Sequence, residues 1–141
     1  MRAVPRLRAV ALTFFPKAGT VLVCDFRGYE PPEIVSIRPV IVISPNHLRR
    51  PGLCTVVPLS TTAPDPIRPY HCRIDMDPLG GRPAAVWAKC DLVATVSLRR
   101  LDRVRVGPGR YRTGSIPPDT LRRIRIAAAI SFGVDLDELQ S

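Results

Sequence analysis

Apolar residues in this chain fall into short alternating or continuous blocks, separated by Gly, Pro and polar stretches. That pattern predicts brief strands rather than long helices. Gly19 opens the first block, Val21-Leu22-Val23-Cys24-Asp25-Phe26. Residues 27–36 form a polar loop with Gly28, Pro31 and Pro32, too long for a tight hairpin turn. Arg38-Pro39-Val40-Ile41-Val42-Ile43-Ser44 is the clearest strand, and its unbroken apolar run predicts burial on both faces. Pro39 donates no backbone hydrogen bond, so it belongs at a strand start or edge. Leu53 to Leu59 reads as a third strand, followed by Ser60, Thr61 and Thr62. Tyr70 to Asp75 alternates as a half-exposed strand, Gly80-Gly81 marks a turn, and Ala84 to Cys90 is another strand holding Trp87. Leu92 to Leu101 reads as a turn or short helical segment. Arg103 to Val106 is the last expected strand, and 107–115 a basic loop.

Pro117 and Pro118 then sit where a helix's first turn tolerates proline, with Asp119 favourable to the helix dipole. The helix is expected over about 117–132, stopping at Gly133, with Leu121, Ile124, Ala128 and Phe132 on one face. Short strands before one terminal helix predict a mainly β fold. The expected form is a small antiparallel barrel with the C-terminal helix packed against it. Residues 1–18 form a basic arm, and 19–141 a single domain with its barrel over about 19–106.

The chain has 141 residues, of which 45% are hydrophobic, enough for one domain to fold without metals or disulfides. No apolar run approaches the ~18 residues of a membrane helix. Ala9 to Phe15 is broken by Thr13 and stopped by Pro16 and Lys17, so no leader is expected, and a cytoplasmic location is. The net charge is +9, from 21 basic and 12 acidic residues. Lys17 and Lys89 are the two lysines, so the positive charge is nearly all arginine, whose planar fork matches phosphate. Arginines crowd between positions 99 and 125, opposed there by Asp102 and Asp119, which favours a polyanion or an acidic protein as partner. Cys24, Cys54, Cys72 and Cys90 form no C-x-x-C pair, so buried free thiols are expected rather than zinc.

Four blocks in order resemble the MazF/PemK family of toxin endoribonucleases from toxin–antitoxin pairs. They are Gly19 to Phe26; Glu33 with Arg38-Pro39-Val40-Ile41-Val42-Ile43-Ser44-Pro45; Val56-Val57-Pro58-Leu59-Ser60-Thr61; and Lys89-Cys90-Asp91, leading into Thr95-Val96-Ser97 and Arg100-Leu101. The resemblance spans about residues 19–104. It implies an SH3-like barrel, a homodimer, metal-independent cleavage of single-stranded RNA without a cofactor, and neutralisation by a cognate antitoxin.

Metal-free RNA cleavage uses the substrate's own 2′-hydroxyl, and needs a base, a cation for the phosphorane and an acid for the leaving oxygen. By the resemblance, Arg38 is the cation, and Ser60 or its neighbour Thr61 the hydroxyl, at a position the family usually fills with threonine. Asp91 and Lys89 match a family base and acid, with lysine here in place of arginine. Glu33 matches a family loop acid; a family histidine just before it is replaced by Pro32. The other reading of Arg38 is an ion pair with Glu33 or Asp25. Arg27, Tyr29, Arg49, Arg50, His71 and Arg73 are the candidate RNA-contacting residues, from loops and from one strand where Tyr70, His71 and Arg73 combine aromatic and cationic groups. A toxin on the same barrel that binds DNA gyrase or another protein, or an inactive RNA-binding homologue, is the alternative. The +9 charge calls for an acidic antitoxin. A neighbouring gene should therefore encode an acidic protein that co-purifies with this one; a basic neighbour that fails to bind contradicts this.

Overall fold

The computed structural model describes residues 12, 14–48, 50–75 and 85–139. Ten strands and two helices follow in order. They are β1 (Thr20–Asp25), β2 (Ile37–Val42), β3 (Leu53–Ser60), β4 (His71–Ile74), β5 (Val86–Lys89) and β6 (Ala94–Ser97). A 3₁₀ turn (Leu98–Arg100) leads to β7 (Leu101–Asp102), β8 (Val104–Gly107), β9 (Arg110–Arg112) and β10 (Gly114–Ser115). The helices are α1 (Pro118–Ser131) and the short α2 (Leu136–Leu139). The main sheet runs β10-β1-β2-β3-β5-β4, with β6 also on β3 and β7 also on β1; β8 and β9 pair only with each other. Every strand pairing is antiparallel, and the sheet curls into a half-barrel with α1 packed on it. This is the mainly β architecture expected from the sequence.

Strand alternation gives the sheet two apolar faces. One packs α1: Val21, Ile41, Val57, Leu59, Ile74 and Ala88 meet Ile124, Ala127 and Ala128. The other is the inside of the curl, where Leu22, Cys24, Val40, Val42, Cys54 and Val56 meet Phe26, Val96 and Leu101. Val40, Ile41 and Val42 are therefore fully buried from both sides, as their unbroken run predicts.

Gly19 (φ +89°) turns the chain into β1 in a conformation that side chains strain to adopt, and its N–H bonds the Val42 carbonyl at 2.7 Å. Pro118 is the first residue of α1, Asp119 lies in its first turn, and Gly133 (φ +86°) ends it. Leu121, Ile124 and Ala128 face the sheet, but Phe132 is 69% exposed because it caps the helix just beyond the packed turns.

The segment read as a turn or helix holds β6 and β7 around a single 3₁₀ turn. β6 is a strand because it lies on β3, Leu53–Val56 against Ala94–Ser97, with the Thr55 and Thr95 hydroxyls 3.0 Å apart. The expected basic loop at 107–115 likewise contains β9 and β10, whose pairing comes from β8 and β1. The last expected strand begins at Val104 rather than Arg103. The arm at 1–18 lies mostly outside the described residues. No helix among them is long and apolar enough to cross a membrane.

All four cysteines are free and buried. Burial pushes the Cys24 and Cys90 thiols up to about 12, and raises Cys54 and Cys72 as well. The folded protein should resist a thiol reagent at neutral pH, while urea releases four reactive thiols; rapid labelling of the native state contradicts this burial. Ile124→Ala should cost about 2–5 kcal/mol in urea unfolding, because it empties the contact between α1 and the sheet.

Candidate active site

Residues directly opposite in an antiparallel ladder share a face. Ser60 of β3 stands opposite Trp87 of β5, and Trp87 opposite Arg73 of β4. One rung on, Lys89 stands opposite His71. Ser60, Trp87, Arg73, Lys89 and His71 thus occupy one face across three strands. The opposite face of those strands carries Leu59, Ala88, Cys72 and Ile74, which pack toward α1.

Arg38 joins the same face. Val40 pairs with Pro58, which is two residues before Ser60, and Arg38 is two residues before Val40. Continuing that register would set Arg38 against Ser60, but the ladder stops at Val40–Pro58. Pro39 explains the stop. It pairs with Val23 on β1, so its nitrogen, without a proton, faces β3. Beyond Val40–Pro58 no further pairing of β2 with β3 is present among the described residues.

The Arg38 side chain is exposed and has no hydrogen-bond or ion-pair partner among the described residues. Neither anticipated carboxylate takes it. Asp25, 2% exposed, binds Arg27 instead, with Nε–Oδ2 at 2.9 Å, Nη2–Oδ2 at 2.6 Å and the Arg27 backbone N–H to Oδ1 at 2.8 Å. Glu33 is exposed in its loop, and its Oε1 accepts the Glu30 N–H at 3.0 Å. Ser60 closes a local turn: its Oγ accepts the Thr62 N–H at 3.1 Å. Thr61 follows it, exposed.

Lys89 ends β5, and Asp91 falls in the following turn, closed by the Leu92 N–H on the Lys89 carbonyl at 3.0 Å. Alternation along an extended strand would set the two on one face, but β5 ends at Lys89 and Asp91 lies in the turn. They form no ion pair with each other among the described residues. His71 Nδ1 accepts the Arg68 N–H at 2.9 Å, so in the neutral ring Nε2 carries the proton. Its ring lies edge-on to Tyr70 at 4.7 Å. Arg73 reaches Asp75, Nε–Oδ1 2.7 Å, with both side chains exposed.

The sheet face thus supplies cations and a hydroxyl, and the acids come from turns at its rim. Trp87, in the middle rung between Ser60 and Arg73, is 9% exposed and belongs to the buried core.

The remaining candidates divide. Arg27 is held by Asp25, although 46% of its side chain stays exposed. Arg100 Nη1 donates to the carbonyls of Asp25 and Arg27 at 2.8 and 3.1 Å, and its guanidinium lies 5.1 Å from the Tyr29 ring centre. Arg27 and Tyr29 therefore belong to a knot that fixes the start of the β1–β2 loop. Arg50 is exposed beside β3, and Arg49 lies outside the described residues. The described residues contain no cluster of His, Cys, Asp and Glu suited to a metal ion.

A family model described as the PemK-like, MazF-like toxin of type II toxin–antitoxin systems matches residues 17–132. The chain is 32% identical over 145 residues to the protein YifN of Escherichia coli (strain K12), covering 87% of this chain and 95% of that one. An endoribonuclease in complex with its cognate antitoxin, from Mycobacterial species, superposes with TM-score 0.60 at 26% identity, over 86% of this chain and 98% of that chain. MazF from Deinococcus radiodurans shares the fold, with TM-score 0.62 at 20% identity over 86% and 99% of the two chains.

The Asp25 knot makes a pH prediction. Burial pushes the Asp25 carboxyl up, but the Arg27 hydrogen bonds and the charges of Arg27 and Arg100 outweigh it and hold it below its ordinary value. A depressed carboxyl stabilises the fold above the unfolded value of about 3.9, and this is lost as pH falls through the folded value. Wild type should therefore lose stability in acid below about pH 4 more steeply than Asp25→Asn. Parallel acid unfolding curves contradict the pairing.

Proposed function

The chain belongs to the PemK-like, MazF-like toxin family of type II toxin–antitoxin systems, and from that premise we propose that it is a metal-independent endoribonuclease. Its substrate is single-stranded RNA, cut at short sequences through attack by the RNA's own 2′-hydroxyl. The observation that supports this reading is the sheet register, which carries Ser60, Lys89, His71 and Arg73 on one face, with Arg38 just past the end of the adjoining β2–β3 ladder. An exposed arginine whose side chain has no partner among the described residues suits a phosphodiester.

Arg38 binds the scissile phosphate and stabilises the phosphorane charge. Ser60, with Thr61 beside it, accepts or donates at the phosphate and aligns the 2′-hydroxyl. Asp91, at the rim beyond Lys89, takes the 2′-hydroxyl proton as the bond from O2′ to phosphorus forms. Lys89 gives a proton to O5′ as the bond from phosphorus to O5′ breaks. Glu33 is the second carboxylate placed to serve as base, or to orient Arg38 once substrate is bound. The products are a 2′,3′-cyclic phosphate and a 5′-hydroxyl. His71 and Arg73 line the continuing face for the neighbouring nucleotide, by stacking and phosphate contact. Arg27, Tyr29, Arg49 and Arg50 contact flanking RNA from the loops.

The +9 net charge supports an acidic antitoxin as the binding partner, and the mycobacterial relative solved with its antitoxin supports a pairing of this kind. The working form is a homodimer.

The deciding experiment is cleavage of a long unstructured RNA in excess EDTA. Wild type should give discrete fragments ending in cyclic phosphate. Arg38→Ala should be slowed about 10²–10³-fold, the scale of losing one donor to a developing oxyanion. Intact RNA with wild type across several sequences overturns cleavage, and favours a toxin that acts on a protein target.

A further inference from the structure

β7 and β10 lie along the same edge of β1. Leu101 and Asp102 pair with Cys24 and Val23, and Gly114 and Ser115 with Val21 and Thr20. Both run antiparallel to β1, so they are two pieces of one edge strand. Continuing the register of β7 would bring Val104 opposite Val21, but Gly114 stands there instead. The residues between are looped out of the edge as the β8–β9 hairpin, a two-stranded sheet of its own.

No residue from 103 to 113 is buried. A hairpin with no fully buried residue adds little to the stability of the domain. It carries Arg103, Arg105, Arg110 and Arg112, and no acidic residue. The Arg103 guanidinium lies 5.0 Å from the centre of the Tyr111 ring, and Tyr111 stands opposite Arg105. Arg105 Nε donates to the Gly107 carbonyl at 3.4 Å. A guanidinium has five N–H donors, so such a contact occupies a small part of its capacity.

The hairpin is also placed near the reaction. Leu101, Cys24 and Arg38 form one rung across three strands, so it springs from an edge about 10 Å from Arg38, at about 4.8 Å per strand. We infer that the β8–β9 hairpin is a second phosphate-binding element, which grips the RNA backbone outside the linkage held at Arg38. This deepens the RNA-cleaving reading and rests on it for the substrate. Arginines around an aromatic ring suit a nucleic-acid strand, whose phosphates take the charge while a base stacks.

The test uses full-length protein and 2′-O-methyl RNA, which lacks the nucleophile and stays intact. Two lengths are compared, a long chain and one of a few nucleotides. Arg105→Gln/Arg110→Gln should weaken binding of the long chain and leave the short one unchanged. The slope of log affinity against log salt should fall by about 1.4, at about 0.7 per lost phosphate contact on a single strand. Arg105→Lys/Arg110→Lys should restore that slope, because the charge returns. An unchanged slope on the long chain overturns the inference. Equal weakening at both lengths does too, since it means a general disturbance of the protein. Lost antitoxin binding with RNA binding intact also overturns it, and would assign the hairpin to a protein partner. The readout needs no cleavage. A wild type that cuts nothing, with the slope still lowered in the Gln variant, sinks the nuclease and keeps the hairpin. Cleavage with an unchanged slope does the reverse.

Discussion

Two prolines govern how the sheet opens. Pro39 has no N–H to give β3, and Pro58 has none to give the other side of its own strand. The ladder between β2 and β3 therefore ends at their contact, Val40–Pro58. Pro58 falls between β6, which pairs with β3 up to Val56, and β5, which pairs from Leu59. On one side of this point the sheet curls over a closed apolar core. On the other, the same face continues with Arg38, Ser60, Trp87 and Lys89. A donor in place of Pro39 would let β2 give β3 one more ladder bond, at Leu59.

Stability and chemistry are thus divided by the alternation of single strands. In β3, Val57 and Leu59 face α1, while Cys54 and Val56 face the curl, and Ser60 continues that inner face to its mouth. In β5, Val86 and Ala88 belong to the helix-side core, and the buried Trp87 and the half-buried Lys89 alternate with them on the other face. A slip of one residue in either strand would bury the polar set and expose the apolar one. The large core on the helix side makes such a slip costly, and so fixes where the polar groups stand.

Two kinds of cation stand out among the described residues. Arg27, Arg100 and Arg125 hold the fold: they satisfy Asp25 and the carbonyls of Asp25, Arg27 and Ile43. Arg38 and the hairpin arginines lie on the surface, exposed to solvent. Tying down the first group fixes the loop after β1, whose other strand neighbour, β2, carries Arg38. Preorganised cations bind phosphate without a large cost in ordering their supports.

Much of this was legible in the sequence. Apolar and β-branched runs located β1, β2 and β3, and the unbroken run of β2 also told of burial on both faces. Prolines at the first turn and Gly133 bounded α1, because those residues act through their own backbone. The four ordered blocks pointed to the family. Tertiary structure decided the rest. β6, β7 and β10 are too short and too polar to be strands by themselves, and become so on the edges of β3 and β1. Arg27 and Arg38 look alike in the sequence. One lies within two residues of a buried carboxylate and the other extends from a strand edge past the last ladder bond. Asp91 leaves its strand because a turn closes on Lys89. Local propensity and periodicity determine elements. Which side chains meet depends on the register between strands far apart in the chain, and that is settled by packing both faces of the sheet at once.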